Sequence, residues 1–196
     1  MSINMPKTPS TLIVALFALC VGLSVQAQPT EWEKLNAEVM SLYQQGQYER
    51  AVPVAKRALE LAEQTLGANH PNVAGSLNNL AELYRIQGQY KQAAPLYQRA
   101  LAIWEKALGP DHQNVAGGLN NLAELHRVQG QYKQAEPLYQ RALAILEKAL
   151  GPNHPNVAQI LENLAELYRK TGRAKEADSL AQRAAAIRAN KHSMKP

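Results

Sequence analysis

His70, His112 and His154 are the side chains that most readily suggest metal chemistry, and they recur at intervals of 42 residues. Zinc needs its ligands ~2.0–2.1 Å from one ion. Identical positions in successive copies of a repeat stand about a helix pair apart, and packed helix axes are already ~8–10 Å apart. That is too far to share an ion, so these read as linker histidines near helix starts. Glu82 and Glu124 recur with the same period, as a solvated face does. Beyond residue 27 there is no cysteine, no glycine-rich phosphate loop and no His-Glu-x-x-His arrangement. No catalytic constellation emerges. The expectation is a protein without catalytic, metal or cofactor chemistry.

A polar stripe is the better candidate. Asn78, Asn79, Glu82 and Arg85 lie on one side of a predicted helix, at spacings of three, four and seven. Asn120, Asn121, Glu124 and Arg127 repeat them, and Glu162, Asn163, Glu166 and Arg169 nearly do. Asparagine donates and accepts, as the amides of an extended peptide do. Its helix propensity is poor, so a tandem mid-helix pair that recurs needs another reason. The arginines offer pairing to carboxylates of a partner. Equally, Glu82–Arg85 and its copies fit plain surface pairs at i,i+3, each contributing a few tenths of a kcal/mol.

The positioning elements come from a repeat. Ala68–Gly109 and Pro110–Gly151 differ at only eight positions: 68/110, 69/111, 71/113, 76/118, 84/126, 86/128, 94/136 and 104/146. Gly46, Gly88, Gly130 and Gly172 keep the same 42-residue register through weaker copies at either side. In the best copy Val73, Leu77, Leu80, Ala81 and Tyr84 recur at helical spacing, and Ala93, Leu96, Tyr97, Ala100, Leu101, Trp104 and Leu108 form a second stripe. Each unit is therefore two helices with a turn at glycine. Gly109-Pro110 and Gly151-Pro152 end the second helices, and the next helices are expected to open near Asp111 and Asn153, with Pro155 in a first turn. Pro53, Pro95 and Pro137 cost least within about the first turn, which places the helix starts close to Tyr90 and Tyr132. Small Ala81, Ala93 and Ala100 let helix axes approach closely. The last unit has Ala181 and Ala185 where others have tyrosine and leucine, as suits a capping end that faces water.

Leu80, Ala81, Tyr84, Gly88, Tyr90, Ala93, Tyr97 and Ala100 resemble the tetratricopeptide repeat pattern, and Leu122, Ala123, Gly130, Tyr132, Ala135, Tyr139 and Ala142 repeat it with His126 in place of the first tyrosine. The 42-residue period, the Leu-Asn-Asn-Leu-Ala run and Gly-Pro-x-His are similar to the variant of kinesin light chains. The resemblance spans 32–190. It implies an all-α, right-handed solenoid of four helix-turn-helix units, in which first helices line a concave groove that binds peptides or cargo. On that reading Asn79, Asn121 and Asn163 share one position and form a ladder across the groove. A motor role is not implied.

The first 27 residues stand apart. Lys7, the apolar run Leu12–Val25 and Val25-Gln26-Ala27 make a secretory-signal pattern with cleavage near Ala27–Gln28. The run is shorter than the ~20 residues a membrane span needs. Cys20, the single cysteine, lies inside it behind Leu19, a poor context for a lipoprotein-type signal. The expected organisation is a signal over 1–27, repeats over 28–66, 67–108, 109–150 and 151–190, and a basic tail over 191–196. Net charge is +5, but Lys and Arg are spread through the repeats without a basic block. The charge reads as solubility, not nucleic-acid binding. Together these give an exported, periplasmic or secreted, non-catalytic scaffold for a protein or peptide partner. The alternative is a self-assembly module that stacks through exposed repeat ends, with weak self-association.

Overall fold

The computed structural model describes residues 30–193, with side chains through 190; the expected signal over 1–27, its expected cleavage site and the residues of the tail beyond 193 lie outside the described residues. Eight helices follow in order: α1 Glu31–Gln44, α2 Tyr48–Leu66, α3 Pro71–Ile86, α4 Tyr90–Leu108, α5 Gln113–Val128, α6 Tyr132–Leu150, α7 Pro155–Lys170 and α8 Ala174–Ser193. Each packs on its chain neighbours, and α3 and α7 both also touch α5. No second helix makes a comparable contact with another second helix among the described residues. Close spacing of first helices and wide spacing of second helices bends a stack, so the first helices line its concave side. The fold is an all-α solenoid.

Local chemistry sets the helix limits. The caps of α5 and α7 sit one residue later than Asp111 and Asn153, on His112 and His154, and His70 caps α3 in the same way. In each the imidazole Nδ1 accepts from the backbone N–H two residues on, at Asn72, Asn114 and Asn156, over 3.1 Å. A ring nitrogen held at the helix entrance satisfies an orphan amide as an Asp or Asn oxygen would. Thr30 caps α1 in a capping box with Glu33. At the inner turns Gly88 takes φ +71°, and the N–H of Gln89 then reaches back to the Tyr84 carbonyl over 2.8 Å. A side chain at that φ is strained, which explains the fixed glycine.

The second helices begin at Tyr48, Tyr90 and Tyr132, the last two where the sequence places them, and their prolines fall at the sixth residue. Pro95 has no N–H for the carbonyl of Lys91. Lys91 is exposed, as are Glu49 and Lys133 in the neighbouring copies, so the missing donor falls on the solvent side of the helix.

Packing between units follows complementary sizes. Trp104 lies over Gly118, where an added Cβ would stand 3.1 Å from the indole ring. The Trp104 Nε1–H donates to the Pro71 carbonyl over 3.1 Å. One unit earlier Ala62 and Ser76 hold these positions, and the Trp32 indole donates to Ser76 Oγ over 3.0 Å. One unit later they become Leu146 and Ile160, both buried. Two of the eight differences between the best copies, 76/118 and 104/146, are thus one volume exchange. At the far end Ala185 is exposed and α8 closes the stack.

Ala142 is 0% exposed and Gln98 faces solvent. Chemical denaturation should show Ala142→Leu losing ~1–3 kcal/mol by overpacking while Gln98→Ala stays within ~0.5 kcal/mol. Equal midpoints would mean the packing face is misplaced. His112→Ala should cost ~1 kcal/mol and His112→Asn much less, because only the cap acceptor is lost.

Candidate interaction groove

On the concave side, Gly117, Asn120, Glu124 and Arg127 of α5 follow one another at spacings of three to four and share a face with Asn121. Their α3 counterparts are Gly75, Asn78, Asn79, Glu82 and Arg85; on α7 they are Gln159, Glu162, Asn163, Glu166 and Arg169. Most are half-buried, and Gly117, Gln159, Glu166 and Arg169 are exposed.

The structure brings these residues together, largely with one another. Asn121 Nδ2 donates to Asn78 Oδ1 over 2.9 Å and Asn163 Nδ2 donates to Asn120 Oδ1 over 2.7 Å. Asn120 Nδ2 in turn donates to Asn121 Oδ1 over 3.1 Å. The asparagine ladder is therefore a row of amide–amide ties between consecutive units. Asn79 is different: it has no side-chain hydrogen bond among the described residues. A mid-helix asparagine is thus explained at 121 and 163 by a bond to the neighbouring unit, a reason sequence alone left open.

The Glu–Arg pairs exceed plain surface pairs. Arg85 grips Glu82 with Nε and Nη2 at 2.8 and 2.6 Å, and Tyr97 OH donates to the same carboxylate over 2.6 Å. Arg127 grips Glu124 at 2.7 and 2.6 Å, with Tyr139 OH donating over 2.7 Å. Arg127 also reaches Glu166 of the next unit over 2.6 Å, and Arg85 Nη1 lies 3.9 Å from Glu124. The result is an alternating lattice Glu82–Arg85–Glu124–Arg127–Glu166 along the groove. It ends at Glu166; Arg169 lies 3.8 Å from Asp178 instead. Ala181 replaces the tyrosine in the last unit, so Glu166 lacks that donor and its side chain is 50% exposed.

Burial first, and then the neighbouring Glu124, push the Tyr139 phenol far above its ordinary range; Tyr97 is held up likewise by burial and Glu82. Burial works against a charged Glu124, but hydrogen bonds from Arg127 and Tyr139 outweigh it and hold the carboxyl below its usual range. The hydrogen bonds that Arg85 donates to Glu82 raise Arg85, and those that Arg127 donates to Glu124 raise Arg127. At neutral pH these shifts keep Tyr97 and Tyr139 neutral and Glu124, Arg85 and Arg127 charged. The tyrosine donors escaped sequence reasoning. The available signal was a tyrosine fifteen residues after each of Glu82 and Glu124.

Two clefts remain open beside the lattice. One of about 290 Å³ is lined by Gln113, Asn114, Asn120, Asn156 and Gln159 over Ala116, Gly117, Leu146 and Ile160. It contains no ionisable side chain. An added Cβ at Gly117 or Gly75 would meet nothing within 4 Å, so packing does not require glycine at either place. The other, about 220 Å³, lies at the first unit between Val39, Met40, Tyr43, Asn78, Asn79, Glu82 and Leu83. Among the described residues no group of three His, Cys, Asp or Glu side chains could hold a metal ion. His70, His112 and His154 serve separate caps.

Comparison with known proteins agrees with this geometry. The sequence profile of the Tetratricopeptide repeat family matches residues 35–106, 73–116 and 114–190. The chain belongs to the tetratricopeptide repeat family. Among solved structures it is similar to BtubC (BKLC) from P. vanneervenii, at TM-score 0.73 and 25% identity over 83% of this chain. The chain spans 65% of the length of that protein. It is also similar to kinesin light chain TPR-like repeats of Podosopora anserina, at TM-score 0.71 and 27% identity over 84% of this chain and 78% of that one. Tetratricopeptide arrays generally serve protein–protein interaction.

Three measurements follow. Glu124's folded pKa is depressed, so the unfolded chain binds the extra proton between the two values, and its contribution is lost as pH falls through the folded value. The stability gap between wild type and Glu124→Gln should be constant above the ordinary carboxyl range (~pH 4.3) and shrink below it. A gap independent of pH down to ~3 would contradict this. Asn121→Ala should cost ~0.5–1.5 kcal/mol through its lost tie, whereas Asn79→Ala leaves thermal stability unchanged or slightly raised. Gly117→Ala should stabilise by ~0.5–1 kcal/mol, since the methyl group has open space and glycine disfavours a helix interior.

Proposed function

We propose that this protein is an exported, non-catalytic scaffold that holds an extended segment of a partner protein in its concave groove. The observation that carries the reading is the cleft over Gly117. A helix-disfavouring glycine stands there without a packing reason, at the floor of a cleft whose polar walls are amides. Exposed backbone at a glycine lets another chain approach closely, and amide side chains match a main chain whatever its sequence. The lattice of Glu82, Arg85, Glu124, Arg127 and Glu166 supports that chain from the side with nearly balanced charge. Asn78, Asn120 and Asn163 take part while tied to neighbouring units, and Asn79 and Arg169 offer more open valence.

Export rests on Lys7, Leu12–Val25 and Val25-Gln26-Ala27. Among the described residues no helix is long and apolar enough to cross a membrane. Stacking of copies through repeat ends has less support. The inter-unit pairs Arg99–Glu63, Arg141–Glu105 and Arg183–Glu147 recur at 2.6–2.7 Å, and the next glutamate in that register is replaced by Ala189.

Gly117→Arg sets its Cβ in open space at the floor of the cleft, so it should keep the helical circular-dichroism spectrum and lose native partners in a crosslinking pull-down from the exported fraction. Partner capture equal to wild type would sink the groove reading. Intact-mass analysis of that fraction should show a chain beginning at Gln28; a full-length species beginning at Met1 would exclude export with cleavage.

A further inference from the structure

The groove is not uniform along its length. Where the second, third and fourth units place Glu82, Glu124 and Glu166, the first places Met40; where they place Arg85, Arg127 and Arg169, it places Tyr43. The charged lattice therefore stops at Glu82, which Tyr43 OH meets only at 3.5 Å. Met40 is 47% exposed, and Leu66 is the other large apolar side chain so exposed among the described residues. The cleft of about 220 Å³ opens here, with Val39, Met40, Tyr43 and Leu83 as apolar lining and Asn78, Asn79 and Glu82 as polar rim. Asn79 is also the asparagine whose copies bond across units while it does not: Asn36, in register to accept from it, is turned to the Trp32 carbonyl at 2.8 Å.

We propose that this notch anchors a bulky apolar side chain of the partner segment, while Asn79 bonds the main chain beside it. This deepens the groove reading and rests on it. The two halves of the notch call for two different parts of one ligand. Methionine is unbranched and polarisable, so it moulds to varied apolar side chains. An amide with donor and acceptor both open suits a peptide group. Charge narrows the neighbours of the anchor. On α1, which carries Met40 and Tyr43, Glu31, Glu33 and Glu38 stand against Lys34, three negative against one positive, or −2 in a chain of +5. The occupant is an extended segment of another protein with one large apolar residue flanked by lysine or arginine.

A phage-displayed library of random linear peptides supplies the probe. Selection on wild-type protein should enrich peptides that share a bulky apolar residue with basic neighbours. Their binding should weaken about tenfold or more in Met40→Glu, which installs the residue its copies carry, and survive in Met40→Leu. Asn79→Ala should weaken it about two- to tenfold. Both changes lie at half-buried or exposed positions, and unchanged circular dichroism separates lost binding from lost fold. Peptides displaced by Gly117→Arg but indifferent to Met40→Glu would overturn the notch and leave the groove reading intact. A selection that enriches nothing, or only peptides indifferent to both changes, would overturn both. A concentration-dependent dimer in light scattering that Met40→Glu abolishes would put a second copy in the notch, and overturn the assignment to another protein.

Discussion

Close approach of helices at buried alanines is the constraint on which this molecule rests. Ala51, Ala93, Ala135 and Ala177 occupy one position of the four second helices and are each 0% exposed. Ala58, Ala100, Ala142 and Ala184 occupy another, at 0–1%. With no side chain beyond Cβ at these points, the second helix of every unit lies tightly on the first, and the larger Tyr97 and Tyr139 fill the adjoining space. Because each unit contacts only its neighbours, stability accumulates by nearest-neighbour stacking. A volume error at one alanine is felt at two interfaces.

Tight stacking also decides what the polar residues do. It brings the first helices close enough for amides and carboxylates of adjacent units to bond, at 2.7–2.9 Å for Asn121–Asn78 and Asn163–Asn120. The lattice that lines the groove is therefore part of the framework, and it presents a fixed pattern of charge to any occupant. Preorganised groups lose less freedom on binding than mobile ones. The sites left open are the ones where the pattern lapses: at Gly117, where no side chain projects, and at Met40, where the charged register ends.

Much of the fold was legible because the 42-residue period superimposes four independent statements of one pattern. Helix type, turn glycines and starts at Tyr90 and Tyr132 all follow from it. The caps did not, since His112 competes with Asp111 for the same role and only backbone geometry decides between them. In the groove, periodicity put Asn78, Asn79, Glu82 and Arg85 on one face but could not say what they touch. The partner of Asn121 lies 43 residues away in Asn78 and that of Glu124 fifteen residues on in Tyr139. Such pairings depend on how far one unit is displaced from the next, a quantity that no single unit's sequence contains. The notch at Met40 was visible only as a departure from the repeat.

Site-specific photo-crosslinking in living cells tests the central claim, that partners engage the concave face, most directly. A photoreactive side chain would be placed at exposed Gln113 on the rim of the groove cleft and, separately, at exposed Gln98 on α4. Covalent adducts with another protein from position 113, and none from position 98, are the result expected of a groove-binding scaffold. Adducts from position 98 with none from position 113 would place the interaction on the outer surface and contradict it.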